Sequence, residues 1–304
     1  MRIVSLLPSA TEFICALGLR DQLVGVSHEC DYPQTVAGLP VVTRTHMDHN
    51  ATSREIDAQV RRELESKQAL YALNDAVLES LAPDLIVTQS LCDVCAVAEA
   101  DVSAAACTLP GAPAIFNLQP MNLADVLATT TALAAAAAVP AAGEQLRRDM
   151  TARIDAVRAR SAAIPRHMQP RVVFLEWLDP PFNAGHWTPE IIEIAGGLPQ
   201  LGAAGEPSGT ITWEAVAAAD PDHIVIGCCG FDIARTRREI GILLRDPAHP
   251  AAAVLAHQPV SIVDGNAYFN RPGPRLVDSL ELMAHVLHPE HHPLPAAVTP
   301  AVAL

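Results

Sequence analysis

The sequence is poor in aromatic and in basic residues. Phe, Trp and Tyr make up 4% of its 304 residues, and 20 Lys and Arg stand against 34 Asp and Glu, for a formal net charge of −14. Such an acidic chain repels phosphate backbones and anionic lipids, so we expect no nucleic-acid partner. Hydrophobic residues make up 50% of the chain, which is enough to bury a substantial core.

Long apolar runs are also missing. No stretch approaches the roughly 18 apolar residues of a membrane-spanning helix. The opening run, residues 3–7, is broken by Pro8 before it reaches the length of a signal-peptide core. These features predict a cytoplasmic protein without membrane insertion, and a periplasmic one only if the start has been trimmed. The odd number of cysteines, 7, argues against a disulfide framework in such a protein.

Alternating β and α patterns predict an α/β fold with parallel sheets. The runs after Pro83 and Pro221 are apolar on both faces, as in buried parallel strands, and their similarity indicates two related halves. Residues 141–163 carry one apolar stripe between Pro140 and Pro165, which predicts a single helix of about 22 residues. We predict an N-terminal lobe (1–140), a connecting helix (141–164), a C-terminal lobe (165–288) and a poorly ordered, proline-rich tail (289–304).

The first helix is predicted at residues 11–19, after a strand at residues 2–6. Ser9 is placed to cap this helix, and Glu12 completes the pattern of a capping box. Because the turn between strand and helix follows the carboxyl end of the strand, it is also a place where an α/β sheet binds ligands.

Potential metal ligands follow two predicted strands of the first half. His28, Glu29 and Cys30 come after one strand, and the pair Cys92 and Cys95 comes after another. A Cys-x-x-Cys pair can chelate a metal or form a redox disulfide. Joined by Cys30 and His28, it could hold zinc or an iron–sulfur cluster. Two alternatives stay open: the thiols line a pocket beside a ligand, or one of them is the nucleophile of an enzyme.

Aromatic and cationic residues follow the strands of the second half. Phe182, Trp187 and Tyr268 could stack on a planar macrocycle, or they could pack in the core. The imidazole of His186 could coordinate the metal of a corrinoid or haem from above, or make a structural hydrogen bond. Arg271 could hold carboxylates or amides of a ligand, or cap the last helix.

Six motifs give the chain a resemblance to a known family. They read RIVSLLPSATE (2–12), VGVS (24–27), DYP (31–33), PDLIV (83–87), PPF (180–182) and YFNRPGPR (268–275). Over nearly the whole length to about residue 288, the chain resembles the helical-backbone, or class III, substrate-binding proteins of ABC importers, in particular those for vitamin B12.

The resemblance implies two Rossmann-like lobes with parallel sheets, joined by one long backbone helix. It also implies a non-enzymatic protein that holds a cobalamin-like corrinoid or another metal chelate in the cleft between the lobes. The ligand contacts that we predict are Pro8, Ser9, Glu29, Tyr32, Phe182, His186, Trp187, Tyr268 and Arg271, and the metal ligands are Cys30, Cys92, Cys95 and His28.

Two departures from the family bear on its partner. Asn270 stands where exported members of the family carry a glutamate that docks on the membrane permease, and residues 44–81 replace the corresponding region of the first lobe. These differences argue against an ABC permease partner and predict a cytoplasmic branch of the family with a thiol-lined cleft.

Overall fold

A computed structural model describes residues 1–48, 50–66, 70–89, 97, 99–109 and 111–304. The chain divides into two compact units. The first unit contains residues 1–51, 55–120 and 124–149, and the second contains residues 52–54, 121–123 and 150–304. The predicted lobe boundaries at residues 140 and 164 stay predictions.

The first unit is built on a parallel sheet. Its elements are β1 (Ile3–Ser5), α1 (Pro8–Ala16), β2 (Leu23–Gly25), β3 (Thr43–Thr45), α2 (Ser53–Ser66), β4 (Tyr71–Leu73), α3 (Asp75–Leu81), β5 (Leu85–Gln89), α4 (Glu99–Thr108), β6 (Ala114–Leu118) and α5 (Leu123–Ala136). The first residues of two of these helices, Ser53 and Arg54 of α2 and Leu123 of α5, belong to the second unit. The sheet order is β2-β1-β5-β6, with every neighbouring pair parallel. All residues of β5 are buried, as its apolar sequence predicts for a strand covered on both faces. β3 and β4 form a separate antiparallel pair.

The long helix α6 runs from Pro140 to Ser161 and has 22 residues. Proline suits the first turn of a helix, where its missing N–H has no partner to lose. Met150, Ile154 and Val157 are at most 4% exposed, so they form the buried stripe that the spacing predicts. No helix in the described ranges is both long and apolar enough to cross a membrane.

The second unit has a mixed sheet with a parallel centre. Its elements are β7 (Arg171–Leu178), β8 (Pro181–Asn183), α7 (Thr188–Ile194), β9 (Leu198–Gln200), α8 (Trp213–Ala218), β10 (His223–Ile226), α9 (Ile233–Leu243), α10 (Pro250–His257), β11 (Val260–Ile262), α11 (Leu276–Leu287) and β12 (Val302–Ala303). β7 pairs in parallel with β10 and β9, and β10 with β11, while β8 and β12 are antiparallel edge strands. Two α/β units with largely parallel sheets confirm the predicted fold class.

The start of α1 differs from the prediction. The helix begins at Pro8, and Leu7 takes the capping position without a side-chain hydrogen bond. Ser9 therefore lies inside the first turn and is 2% exposed, so it does not cap the helix. The capping-box pattern misplaced the helix start because proline, with its fixed φ, is itself a favourable first helical residue.

The C-terminal segment is not the poorly ordered tail that its composition predicts. Val302 and Ala303 pair with Ile262 and Ser261 of β11. Upstream, His292 is 1% exposed and lies 3.1 Å from the Ser161 hydroxyl through Nε2. The proline-rich composition of this segment predicts little local order. It gives no sign that Val302 and Ala303 pair with β11 or that His292 packs against Ser161, because these partners are distant in the sequence.

Two glycines give a test of packing in the second unit. A Cβ added to Gly265 would overlap the backbone of Gly227 and Cys228, whereas a Cβ added to Gly241, inside α9, would meet open space. We expect Gly265→Ala to lower the free energy of unfolding by at least about 2 kcal/mol, because backbone cannot yield as a side chain does. Gly241→Ala should raise it by about 0.5–1 kcal/mol through its helix propensity. Urea titrations of both variants check this, and equal midpoints would contradict the described packing.

Candidate ligand-binding site

Hydroxyl groups surround the Cys30 thiol of the first unit. Its sulfur lies 3.0 Å from Thr11 Oγ1 and 3.3 Å from Ser27 Oγ. Thr11 Oγ1 is also 2.8 Å from Ser5 Oγ, and because one hydroxyl carries one hydrogen it donates to one of the two neighbours at a time. Ser27 Oγ accepts the backbone N–H of Glu29, so its own hydrogen can reach the sulfur. The loop after β2 is thus bound to the amino-terminal half of α1.

His28 joins the same loop to the β3–β4 pair. Its backbone N–H donates to Thr43 Oγ1 at 3.0 Å, and its Nδ1 lies 2.7 Å from that same oxygen. Its Nε2 lies 3.4 Å from Glu29 Oε1. The ring centroid is 5.5 Å from that of Tyr71. His28 is therefore held in place by its backbone N–H and Nδ1, both of which lie close to Thr43 Oγ1, and by its contact with Tyr71.

A small cavity adjoins this loop. Its volume is about 10 Å³, enough for one water molecule, and its lining is Leu6, Pro8, Ser27, His28, Glu29, Thr43, Tyr71 and Val97. Of the ligand contacts predicted in the first half, Pro8 and Glu29 line the cavity. Tyr32 is 46% exposed, whereas Ser9 is buried in α1. The structure thus brings Pro8 and Glu29 together, and it does not bring Ser9 to the surface.

The structure describes only two of the four residues predicted to bind a metal, Cys30 and His28. Cys92 and Cys95 lie outside the described residues. Among the residues that are described, no group of three or more His, Cys, Asp or Glu side chains is arranged to hold a metal ion. The assignment of Cys30, Cys92, Cys95 and His28 as metal ligands stays a prediction.

Three of the contacts predicted in the second half are buried inside their own unit. Trp187 is 5% exposed, and its indole N–H donates to the carbonyl of Phe269 at 2.6 Å. Tyr268 is 5% exposed, and its hydroxyl oxygen accepts the backbone N–H of Thr299. Arg271 is 8% exposed and donates to the side-chain oxygen of Asn266. These side chains hold the loops of the unit together.

Phe182 and His186 keep part of their surface exposed. His186 has a φ of 52°, in the left-handed region, and its backbone N–H donates to the carbonyl of Glu206 at 2.6 Å. Its carbonyl accepts from Gly205, so both peptide groups are bound to the loop before α8. Burial lowers the pKa of the imidazole, so the ring is neutral at neutral pH and has a nitrogen available for coordination.

Trp177, at the end of β7, is a site residue that sequence reasoning did not single out. It is partly exposed, whereas Trp187 and Trp213 are at most 5% exposed. Its ring lies 4.9 Å from that of Phe231, which follows β10. Its position at the end of a strand is visible in the sequence. Only the packing shows that Trp177 is partly exposed while the other two tryptophans are buried.

Glu176 also escaped the sequence analysis, and it is the most perturbed acid at these strand ends. The residue is partly exposed, but its carboxyl group is enclosed, accepting from Ser208 Oγ at 2.5 Å and from the backbone of Gly185. Burial raises the pKa of this carboxyl to about 7, and the two hydrogen bonds oppose the shift without cancelling it. Glu176 therefore changes its charge near neutral pH, one residue from Trp177.

The fold and these loops define an α/β ligand-binding protein. The chain belongs to the periplasmic binding protein family, whose sequence pattern matches residues 3–252. Family membership confirms the resemblance seen in the sequence motifs.

Individual relatives cover almost the whole chain. A vitamin B12-binding protein of Vibrio cholerae is 26% identical over 284 residues, which are 92% of this chain and 86% of that protein. The crystal structure of a periplasmic vitamin B12-binding protein of Vibrio cholerae aligns with a TM-score of 0.64 and 24% identity, over 94% of this chain and 96% of that one. A periplasmic heme-binding protein of Roseiflexus sp. RS-1 aligns with a TM-score of 0.67 and 22% identity, over 95% and 98%.

Family membership corrects two expectations. The prediction of a cytoplasmic protein is wrong, because the family and these relatives are periplasmic. The argument from Asn270 against a permease also loses its basis, since binding proteins of this family work with ABC permeases. Asn270 has a local reason: its Nδ2 donates to the carbonyls of Gly227 and Gly265, and a glutamate could not donate either bond.

The raised pKa of Glu176 predicts a pH-dependent stability that Glu176→Gln removes. Above about pH 4.5 the carboxyl of Glu176 ionises in the unfolded chain but stays protonated in the folded protein. The free energy of unfolding therefore falls as the pH rises, until the folded protein also ionises at about pH 7. At about 1.4 kcal/mol per pKa unit, the advantage of the variant over the wild type should grow by about 2–3 kcal/mol between pH 5 and pH 8. Urea titrations at both pH values measure it.

The control for this prediction is Glu206→Gln, which replaces an exposed carboxyl on the neighbouring loop. The advantage of this variant over the wild type should grow by less than the 2–3 kcal/mol expected for Glu176→Gln, because Glu206 is exposed whereas the carboxyl of Glu176 is enclosed. If Glu176→Gln behaved like this control, the carboxyl of Glu176 would not be the group that titrates near neutrality.

Proposed function

We propose that this protein binds a cobalamin-like corrinoid and releases it unchanged, as the substrate-binding protein of an ABC importer. The observation that carries the proposal is the similarity to a vitamin B12-binding protein over 92% of the chain. The second unit offers suitable surfaces, because Trp177 and Phe182 are partly exposed aromatic rings at the end of β7 and in β8. Aromatic rings provide rigid contact area for a planar macrocycle.

Charge favours a corrinoid over haem. The strand-end loops carry the carboxyl groups of Glu29, Asp179 and Glu206, and the whole chain has a net charge of −14. Haem presents two carboxylates at its edge, which these groups repel, whereas the periphery of cobalamin presents amides that donate hydrogen bonds to carboxylates. Because Asp179 pairs with the guanidinium of Arg54 at 2.7 Å, the local repulsion rests on Glu29 and Glu206.

His186 is the residue that we propose as a ligand of the corrinoid metal. It is neutral at neutral pH for the reason given above, and its backbone is bound on both sides, so the ring is presented by a fixed loop. Pro8, Glu29, Tyr32 and Phe182 complete the contacts that we propose for the ligand. Trp187, Tyr268 and Arg271 act behind this surface, through the hydrogen bonds that keep them buried.

Titration with aquocobalamin, cyanocobalamin and haemin tests the proposal. We expect aquocobalamin to bind most tightly and to change its absorption spectrum, because imidazole can replace the water on cobalt. Cyanocobalamin should bind without that change, since its cyanide is not displaced. His186→Gln should abolish the spectral change and weaken aquocobalamin binding by about tenfold, the loss of about 1.4 kcal/mol.

The matched control is His257→Gln, which replaces an exposed histidine on α10. It should leave both the spectrum and the affinity unchanged. Tighter binding of haemin than of aquocobalamin would contradict the choice of ligand. Failure of all three compounds to bind would refute a tetrapyrrole-binding function.

A further inference from the structure

A chain of hydrogen bonds connects a buried carboxylate to Trp177, the partly exposed tryptophan of the second unit. Glu239, on α9, accepts the backbone N–H of Ser53 at its Oε2, with a distance of 2.8 Å. The carbonyl of the same residue, Ser53, accepts the indole N–H of Trp177 at 3.1 Å. The two peptide groups of one residue therefore relay the position of the carboxylate to the indole ring.

A second set of contacts also leads from Glu239 to Trp177, through Arg235 and Phe231. The other carboxylate oxygen, Glu239 Oε1, lies 3.2 Å from Arg235 Nε. The guanidinium of Arg235 stands 4.6 Å above the centroid of Phe231, and the Phe231 ring lies 4.9 Å from that of Trp177 at an angle of 45°. The indole of Trp177 is thus held by a hydrogen bond at its nitrogen and by an aromatic contact.

Burial makes the position of the carboxylate well determined. Glu239 is 3% exposed and Ser53 is 2% exposed. Ser53 is also the first residue of the 14-residue helix α2, where backbone N–H groups lack partners within the helix and favour a negative charge. Replacing a buried ion pair with apolar side chains of similar volume is often neutral or stabilising, so the pair of Glu239 and Arg235 is weak evidence for a role in stability.

We propose that Glu239 is a positioning residue for Trp177, acting through the backbone of Ser53. Fixing one orientation of the indole prepares the aromatic surface before the ligand arrives and reduces the ordering cost of binding. The exposed pair of Arg54 and Asp179, at 2.7 Å, adds little because solvent screens it. The ligand-related part of this inference rests on the proposed function, whereas the orientation of Trp177 can be measured without a ligand.

The test without ligand follows the indole N–H signals of the three tryptophans by ¹⁵N NMR. Trp177→Phe identifies the signal of Trp177. In Glu239→Ala we expect the Trp177 indole hydrogen to exchange with solvent about three- to tenfold faster, the effect of losing one net hydrogen bond. The signals of Trp187 and Trp213 should be unchanged. A folded Glu239→Ala variant with unaltered Trp177 exchange would overturn the proposal.

Two further variants separate positioning from general destabilisation. Glu239→Gln keeps a side-chain oxygen that can accept the Ser53 N–H, so it should restore slow exchange at Trp177. Glu281→Ala breaks another ion pair of the second unit, 2.6 Å from Arg153, and should leave Trp177 unaffected. Should Glu239→Ala fail to fold, Glu239→Leu carries the test, because it fills the same space without an acceptor for the Ser53 N–H; unaltered Trp177 exchange in that variant would overturn the proposal.

Aquocobalamin titration of the same variants tests the role in binding. Glu239→Ala should weaken binding by about tenfold, while Glu239→Gln and Glu281→Ala stay near the wild type. An equal loss in Glu281→Ala would show a stability effect and overturn the positioning role. If the wild type binds no aquocobalamin, the corrinoid proposal fails, and the indole exchange of Trp177 still decides whether Glu239 positions it.

Discussion

Parallel strand pairing is the constraint on which the candidate site depends. Parallel neighbours end at the same edge of a sheet, so the loops that follow them meet there whatever their separation in the sequence. In the first unit, pairing of β1 with β2 brings Thr11 within 3.0 Å of the Cys30 sulfur. In the second, pairing of β7 with β10 brings Trp177 to 4.9 Å from Phe231.

The aromatic side chains near the strand ends of the second unit differ in how deeply they are buried. Trp187 and Tyr268 turn inward, and each uses its polar group to bind backbone of the same unit. A buried indole or phenol needs a hydrogen-bond partner for its polar group. Because the rings of Trp187 and Tyr268 are themselves buried, they offer little surface to a ligand. The indole N–H of Trp177 donates to the carbonyl of Ser53, and the residue is still partly exposed. This difference separates the aromatic residues that support the site from those that can contact a ligand.

Two carboxyl groups of the second unit show how environment sets the role of a residue. Glu176 is enclosed with a hydroxyl and one backbone N–H, and desolvation raises its pKa to about 7. Glu239 is buried as well, but one of its oxygens lies 3.2 Å from Arg235 Nε and the other accepts the backbone N–H of Ser53, at the start of a helix. The first is therefore suited to respond to pH, and the second to hold its neighbours in one arrangement.

The sequence by itself determined the α/β class, the buried strand β5, the 22-residue helix α6 and the family, because apolar periodicity and local motifs carry this information. The tertiary structure alone decided that Ser9 lies inside a helix, that the C-terminal segment pairs with β11, and that Trp177 is partly exposed whereas Trp187 is buried. It also revealed the link from Glu239 to Ser53, which are 186 residues apart. Such contacts depend on which residues the folded sheet brings together, and no local pattern in the sequence records them.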